Sequence, residues 1–351
     1  VTTPRLNGFS MPPEWAPHEC TWMEFPPANA EFSADPVELD RARTLWASVA
    51  NTIAQFEPVR MVCNLGERDI ARRLLDPSIE LFETPTGDAW CRDSGPTFLT
   101  HPDGRLGATH WTFNAWGDRG FSDPTDERHV GAFIAGLAGA ELFSSSMVNE
   151  GGGLHVDGEG TVICTETVQL DVRRNPTWNV EQVETELKAY LGTSHTIWVP
   201  RGLTSDYGGY GTNGHIDIVC CFTEPGTLLV HVQQNPAHPD FEVSRQYLEV
   251  LRNSVDAKGR PLRLIEVPAP ATLEVDGEFV DWGYLNHYIC NGAVILCTFD
   301  DPNDRTAIDI LRDAYPGREI VPHDARGIFM WGGGIHCITQ QQPKVGARDS
   351  V

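Results

Sequence analysis

The chain has 351 residues, enough for a large core, and its formal net charge of −23 argues against nucleic acid as a partner, because phosphate binding draws on clustered Lys and Arg. The same acidity favours encounter with a cationic small molecule. Nine cysteines without a CxxC pair, two of them adjacent at Cys220 and Cys221, read as reduced thiols packed in strands and not as a disulfide framework or zinc ribbon.

Residues 1–8 show neither the basic nor the apolar region of a signal peptide, and no apolar run approaches the ~18 residues of a membrane span, so a cytoplasmic location with no membrane contact is expected. Residues 21–25 read as a first strand. Asp35-Pro36 starts a helix with proline at its first position, and Leu39, Ala42, Leu45, Trp46, Val49, Ile53 and Ala54 give it one buried face. A strand at 59–63, a short helix at 67–75 and a strand at 79–82 follow. Residues 88–96 pack two carboxylates, an arginine and a tryptophan into a turn-forming run ahead of a hairpin over 97–113, turned at Pro102-Asp103-Gly104. Residues 114–120 read as a loop and 126–142 as a helix. Glu150-Gly151-Gly152-Gly153 precedes a hairpin over 154–170, and a helix from Thr177 ends at Gly192. A strand at 197–200 leads to a glycine-rich loop at 207–214. His215-Ile216-Asp217 then enters a hairpin turned at Glu224-Pro225-Gly226. A helix over 241–255, a strand over 262–267, a strand pair over 284–297 and a last helix over 306–315 bring the chain to Trp331-Gly332-Gly333-Gly334-Ile335-His336-Cys337.

That last stretch is a glycine turn able to present one thiol, since glycine accepts backbone conformations that strain other residues. Alone it leaves two readings open, a nucleophile or one more buried small hydrophobe. The spacing of polar landmarks narrows the choice. Asp93, Glu150, His215 and Cys337 are 57, 65 and 122 residues apart, the last close to two intervals of 61, and Asn286 falls where the missing landmark belongs. Five strand-strand-helix-strand units arranged radially, each sending residues to one central end, account for that period.

A thiol attacks electrophilic carbon with a histidine as acid and base. Three acids in glycine-rich segments, Asp93, Glu150 and Asp217, exceed what an amidase needs. A guanidinium, planar and rich in N–H donors, could use them all.

These residues carry a resemblance to the agmatine deiminase and bacterial peptidylarginine deiminase family. It runs through Met11-Pro12-Pro13-Glu14-Trp15, Asp88-Ala89-Trp90-Cys91-Arg92-Asp93-Ser94-Gly95-Pro96, Phe113-Asn114-Ala115-Trp116-Gly117, Glu150-Gly151-Gly152, His155-Val156-Asp157-Gly158-Glu159-Gly160, Thr212-Asn213-Gly214-His215-Ile216-Asp217 and Gly334-Ile335-His336-Cys337-Ile338-Thr339-Gln340-Gln341. The resemblance implies an α/β fold, a five-bladed pseudo-symmetric propeller, formed by residues 1–351 as a single catalytic domain. It also implies hydrolysis of a guanidino group to a ureido group plus ammonia, without metal or other cofactor, through a covalent thiouronium. Position by position, Cys337 resembles the nucleophile and His215 the general acid and base. Asp93 and Asp217 resemble the carboxylates that grip the guanidinium, Glu150 a further acid near His215, and Trp90 a wall of the substrate channel.

Agmatine, converted to N-carbamoylputrescine, is the substrate the resemblance implies. The chain departs from the pattern before Thr212, where Tyr207-Gly208-Gly209-Tyr210-Gly211 replaces the usual acidic residues. Asp206 is the nearest acid there, and Arg119 could face a substrate tail instead. The alternative is therefore a guanidino compound with a neutral or carboxylate tail, such as an arginine derivative or peptidylarginine. A metal-binding module using His155, Asp157, His215, Asp217 and Cys337, or a silent binding protein on the same scaffold, are the readings from other classes. His155 and Asp157 read as a structural pair, Arg92 as the partner of a carboxylate, and Trp116, Trp282 and Trp331 as packing, any of the three being able to line a pocket mouth. His336 is expected on the opposite strand face from Cys337. Assembly into a homo-oligomer is compatible with the sequence.

Overall fold

The structure, a computed structural model, describes residues 2–29, 35–120 and 122–346. Among the described residues, five of the six sheets share one motif, an antiparallel strand pair extended by a parallel strand across a helix. In the first, β1 (His18–Glu24), β2 (Val59–Cys63) and β3 (Glu80–Glu83) run parallel, and the helix Pro36–Ile53 crosses from β1 to β2. The second pairs β4 (Thr97–Thr100) antiparallel with β5 (Leu106–Thr112), and after the helix Val130–Ala138 adds β6 (Glu141–Val148) parallel to β5. The third repeats this with β7 (His155–Val156), β8 (Thr161–Thr165), the helix Val180–Leu191 and β9 (His195–Val199). The fourth uses β10 (Cys220–Glu224), β11 (Thr227–Val232), the helix Asp240–Arg252 and β12 (Arg263–Pro268). A small hairpin, β13 (Glu274–Val275) and β14 (Glu278–Phe279), separates it from the fifth, built of β15 (Tyr288–Cys290), β16 (Ala293–Thr298), the helix Asp304–Ala314 and β17 (Glu319–Asp324). Finally β18 (Thr339–Pro343) pairs antiparallel with β1 and supplies the strand the first sheet lacks. The fold is the five-bladed α/β propeller that the residue spacing suggests.

Local chemistry explains the elements. The helix Pro36–Ile53 begins where the Asp35 carboxylate accepts the Val37 N–H at 2.8 Å, and it buries Leu39, Ala42, Trp46, Val49 and Ile53. Asn179 and Gln182 form a reciprocal capping box on the helix Val180–Leu191, which ends at Gly192 with φ +75°. Strands β11 and β16 are buried at every position, so they are apolar runs without alternation.

Two expectations need correction. The single helix over 126–142 is two short helices, Pro124–Glu127 and Val130–Ala138, followed by β6. Gly139 at φ +67° stops the second helix, and from Leu142 the burial alternates with period two. The helix near 306–315 is also not the last: β17 and a helical turn, Arg326–Phe329, follow it.

The repeat places the polar landmarks. Asp93 precedes β4, Glu150 precedes β7, His215 and Asp217 precede β10, Asn286 precedes β15, and Cys337 precedes β18. Each lies on the segment entering the first strand of its blade, and all five segments meet at one end of the ring.

Candidate active site

Cys337 lines a cavity of about 310 Å³ whose wall also includes Asp88, Trp90, Asp93, Trp116 and Tyr210. Its Sγ lies 3.3 Å from Asn286 Oδ1 and 3.7 Å from Asp217 Oδ2. The backbone N–H groups of His336 and Cys337 donate to the same Asn286 oxygen at 3.1 and 3.3 Å, so the fifth blade's landmark holds the nucleophile turn in place. Burial pushes the Cys337 thiol well above its ordinary range, and Asp217 and Asp93 push in the same direction.

His215 faces carboxylates at both ring nitrogens, with Nε2 3.3 Å from Glu150 and Nδ1 3.9 Å from Asp93. Burial alone would lower its pKa. Asp93 and Glu150 outweigh burial and raise it to about 9, so the ring is an imidazolium at neutral pH. Glu150 is gripped in turn by Arg174 Nε at 2.9 and 3.0 Å. Burial opposes its ionisation, but Arg174 and His215 hold the carboxyl below the usual range.

Asp93 accepts the Gly152 N–H at 3.0 Å and the Trp116 indole N–H at 2.9 Å. Burial raises its pKa, His215 works against the rise, and Asp217 and Glu150 add to it. Asp217 accepts from His336 Nδ1 at 2.9 Å through Oδ2. Its Oδ1 is buried with no hydrogen-bond partner among the described residues. Burial works against its charge, yet His336 keeps its pKa low. A buried carboxylate oxygen without a donor is the acceptor a planar cation can satisfy.

Two glycines are required by this crowding. A Cβ at Gly152 would lie 2.5 Å from His215 Nδ1 and 3.0 Å from Asp93 Oδ1, and one at Gly333 would lie 2.7 Å from the Trp90 ring and 3.1 Å from Cys337 Sγ.

Comparison with known proteins fixes the family. The profile of the Porphyromonas-type peptidyl-arginine deiminase family matches residues 10–343. The chain belongs to that family. A Streptomyces avermitilis protein provisionally named as an agmatine deiminase is 53% identical over 98% of this chain and 100% of its own length. The agmatine deiminase of Pseudomonas syringae pv. syringae is 38% identical over 97% of each chain. Among solved structures, the agmatine deiminase of Enterococcus faecalis, catalysing its reaction, superposes with a TM-score of 0.89 at 31% identity, covering 98% of both chains.

In this peptidyl-arginine deiminase relative, the structure brings Cys337, His215, Asp93, Glu150, Asp217 and Trp90 together. Arg119, the residue that could face a substrate tail, sits beside this cluster against the glycine-rich loop. Its guanidinium donates to the carbonyls of Gly211, Tyr207 and Gly208 at 2.7, 3.1 and 2.5 Å, so it fastens the glycine-rich loop that carries Tyr210 to the cavity wall. Asp206 is likewise occupied by that loop, accepting the N–H groups of Thr212, Gly214 and His215 at 2.7, 2.7 and 3.1 Å.

Trp116, read as packing able to line a pocket mouth, does line the cavity, and its indole holds Asp93. The backbone is strained to present it, with Ala115, Trp116 and Asp118 at φ +55°, +55° and +51°. Each such residue costs about 1–2 kcal/mol, which surrounding contacts must offset. Trp331 lines the cavity too. His336 is a correction. The strand begins only at Thr339, so strand alternation does not govern residue 336, whose ring lies between Asp217 and Glu14. Arg92 does meet a carboxylate, with Nη1 3.4 Å from Glu14, and its N–H donates to the Cys337 carbonyl at 3.1 Å. Asp157 holds its hairpin turn through the Glu159 and Thr161 N–H groups at 2.7 and 2.8 Å, while His155 lies 3.5 Å from Glu14. They are structural, but not a pair with each other.

Arg174 and the buried contacts of Glu14 carry no local signal, whereas Asp88 stands in the turn-forming run at 88–96 and Asn286 in the repeat. Among the described residues no group of three or more His, Cys, Asp or Glu side chains is arranged to hold a metal ion, and no helix is long and apolar enough to cross a membrane.

Proposed function

We propose that this protein is an agmatine deiminase, a hydrolase of a linear amidine that converts agmatine and water into N-carbamoylputrescine and ammonia. The observation that carries the choice of substrate is the charge of the cavity wall. The wall that holds Cys337 and Asp93 also holds a second acid, Asp88, and the described lining residues include no Lys or Arg. A substrate cationic at both ends suits that wall, and a carboxylate tail does not. Tyr210 and Met330, 75% and 68% exposed, give the mouth an apolar rim suited to a methylene chain.

In this reading Asp93 and Asp217 orient the guanidinium. Its charge, together with the imidazolium of His215, favours ionisation of Cys337, whose proton leaves to water. The thiolate adds to the guanidinium carbon. His215 then gives its proton to the departing nitrogen, ammonia leaves, and an S-alkylthiouronium remains. Neutral His215 takes a proton from water as the hydroxyl adds to the same carbon. Collapse breaks the C–S bond, releases the ureido product, and the hydroxyl proton restores the thiol. All blades supply residues, which supports treating the chain as one catalytic domain. All nine cysteines are unpaired and buried, in keeping with a reducing cytoplasm.

Ammonia release with mass detection of the ureido product, across agmatine, arginine, short guanidino acids and peptides ending in arginine, tests the reading. Agmatine turnover is expected, with Cys337→Ser folded and inactive. Asp88→Asn should raise KM for agmatine roughly tenfold, the worth of one charged hydrogen bond, and leave alkylguanidines without a distal ammonium nearly unaffected. Turnover confined to carboxylate-tailed compounds, or an active Cys337→Ser, would sink it.

A further inference from the structure

Beneath the site lies a buried polar cluster that the reaction steps above do not use. Glu14, in the segment before β1, accepts from His336 Nε2 at 3.0 and 3.1 Å. It also lies 3.4 Å from Arg92 Nη1 and 3.5 Å from His155 Nε2. The other nitrogen of His336 lies 2.9 Å from Asp217 Oδ2. All five side chains are buried.

The geometry of the ring decides its state. A neutral imidazole has one N–H, so between two carboxylates it must turn a lone pair on one of them. Only an imidazolium donates to both. We propose that Glu14 and His336 are positioning residues of the reaction: Glu14 holds His336 as a cation, and that cation fixes Asp217 by Oδ2 so that its unpartnered Oδ1 is turned to the guanidinium. This rests on the deiminase reading of the site.

The arrangement answers a problem of charge. Asp217, Asp93 and Glu150 crowd one buried thiol and one histidine, and Asp217 lies within 3.7 Å of the sulfur. Without a cation on its far side, Asp217 would take up a proton and cease to be an acceptor for a guanidinium. Glu14 is needed because burial, and Arg92 on the turn after Trp90, both disfavour the charge on His336. The other groups facing the ring are His155 on β7 and His287 ahead of β15, which act on the Glu14 side of the cluster. Burial pushes His287 down to about 4, so it is neutral and leaves the charge on His336.

The test has two arms. His336→Asn removes the cation, and Glu14→Gln removes its anchor while keeping an acceptor. Both should lower agmatine kcat/KM at neutral pH by on the order of a hundredfold or less, mainly through KM. Both should also move the acid limb of the pH profile upward by about one unit, because Asp217 protonates more easily. A residue serving only the fold would lower active protein and leave that limb where it was. The second arm needs no variant and no substrate. Histidine-ring nitrogen NMR of the wild-type protein should show His336 doubly protonated at pH 8. A single-tautomer neutral ring overturns the proposal, as does an unmoved acid limb in two folded variants. If the wild type fails to turn over agmatine while the ring is cationic, the substrate reading falls and this one stands.

Discussion

A thiol buried beside two carboxylates is a poor nucleophile until a cation joins it. Cys337 is pushed up by burial, Asp217 and Asp93, whereas His215 keeps its proton to about pH 9. Alkylation of Cys337 by iodoacetamide in ligand-free protein should therefore be slow at pH 7 and accelerate as pH rises; a fast, pH-independent reaction would contradict it. In turnover the requirement for a proton on His215 should produce an alkaline limb near pH 9 in kcat/KM, lost in the same direction as the imidazolium. The sequence makes these groups visible because a nucleophile, a base and their acids each stand in a glycine-rich turn. Trp116, Glu14 and His336 are not visible in that way. Their roles depend on contacts with Asp93 and with each other across 23 and 322 residues, and nothing local to them records such contacts.

At the scale of elements, each blade carries its catalytic segment ahead of its first strand and packs its helix against its own strands. The capping box of the third blade is a case where the local cost is open to measurement. Asn179→Ala should destabilise the protein by about 1 kcal/mol in urea unfolding and leave agmatine KM unchanged, since the cap lies at an exposed helix start. A loss of activity without loss of stability would argue against that separation. Most helices were legible from apolar spacing and caps, and most hairpins from their turns. Strands β6 and β17 were not, because Glu141–Val148 carries three serines and Glu319–Asp324 is only partly buried, so neither has the apolar density of β11 or β16.

For the whole molecule the decisive contact is between β1 and β18, which pair Trp22 with Gln340 and Thr21 with Gln341. Gln342 Oε1 accepts the Trp22 indole N–H at 2.9 Å and lies 3.4 Å from Cys20 Sγ. Gln342→Ala leaves a buried donor unsatisfied and should cost about 1–3 kcal/mol, read as a lower urea midpoint with an unchanged slope. A neutral effect would mean that closure relies on backbone pairing alone. The five-fold repeat could be read from landmark spacing, but this closure could not, because it joins strands with no signal of mutual address. It also sets a clock. At ~5–20 residues per second, the 318-residue separation of Trp22 and Gln340 takes on the order of 15–60 s to be synthesised. For that interval one edge of β1 stands open to other chains. The thiol, two residues ahead of β18, enters the growing chain only as the ring becomes able to shut.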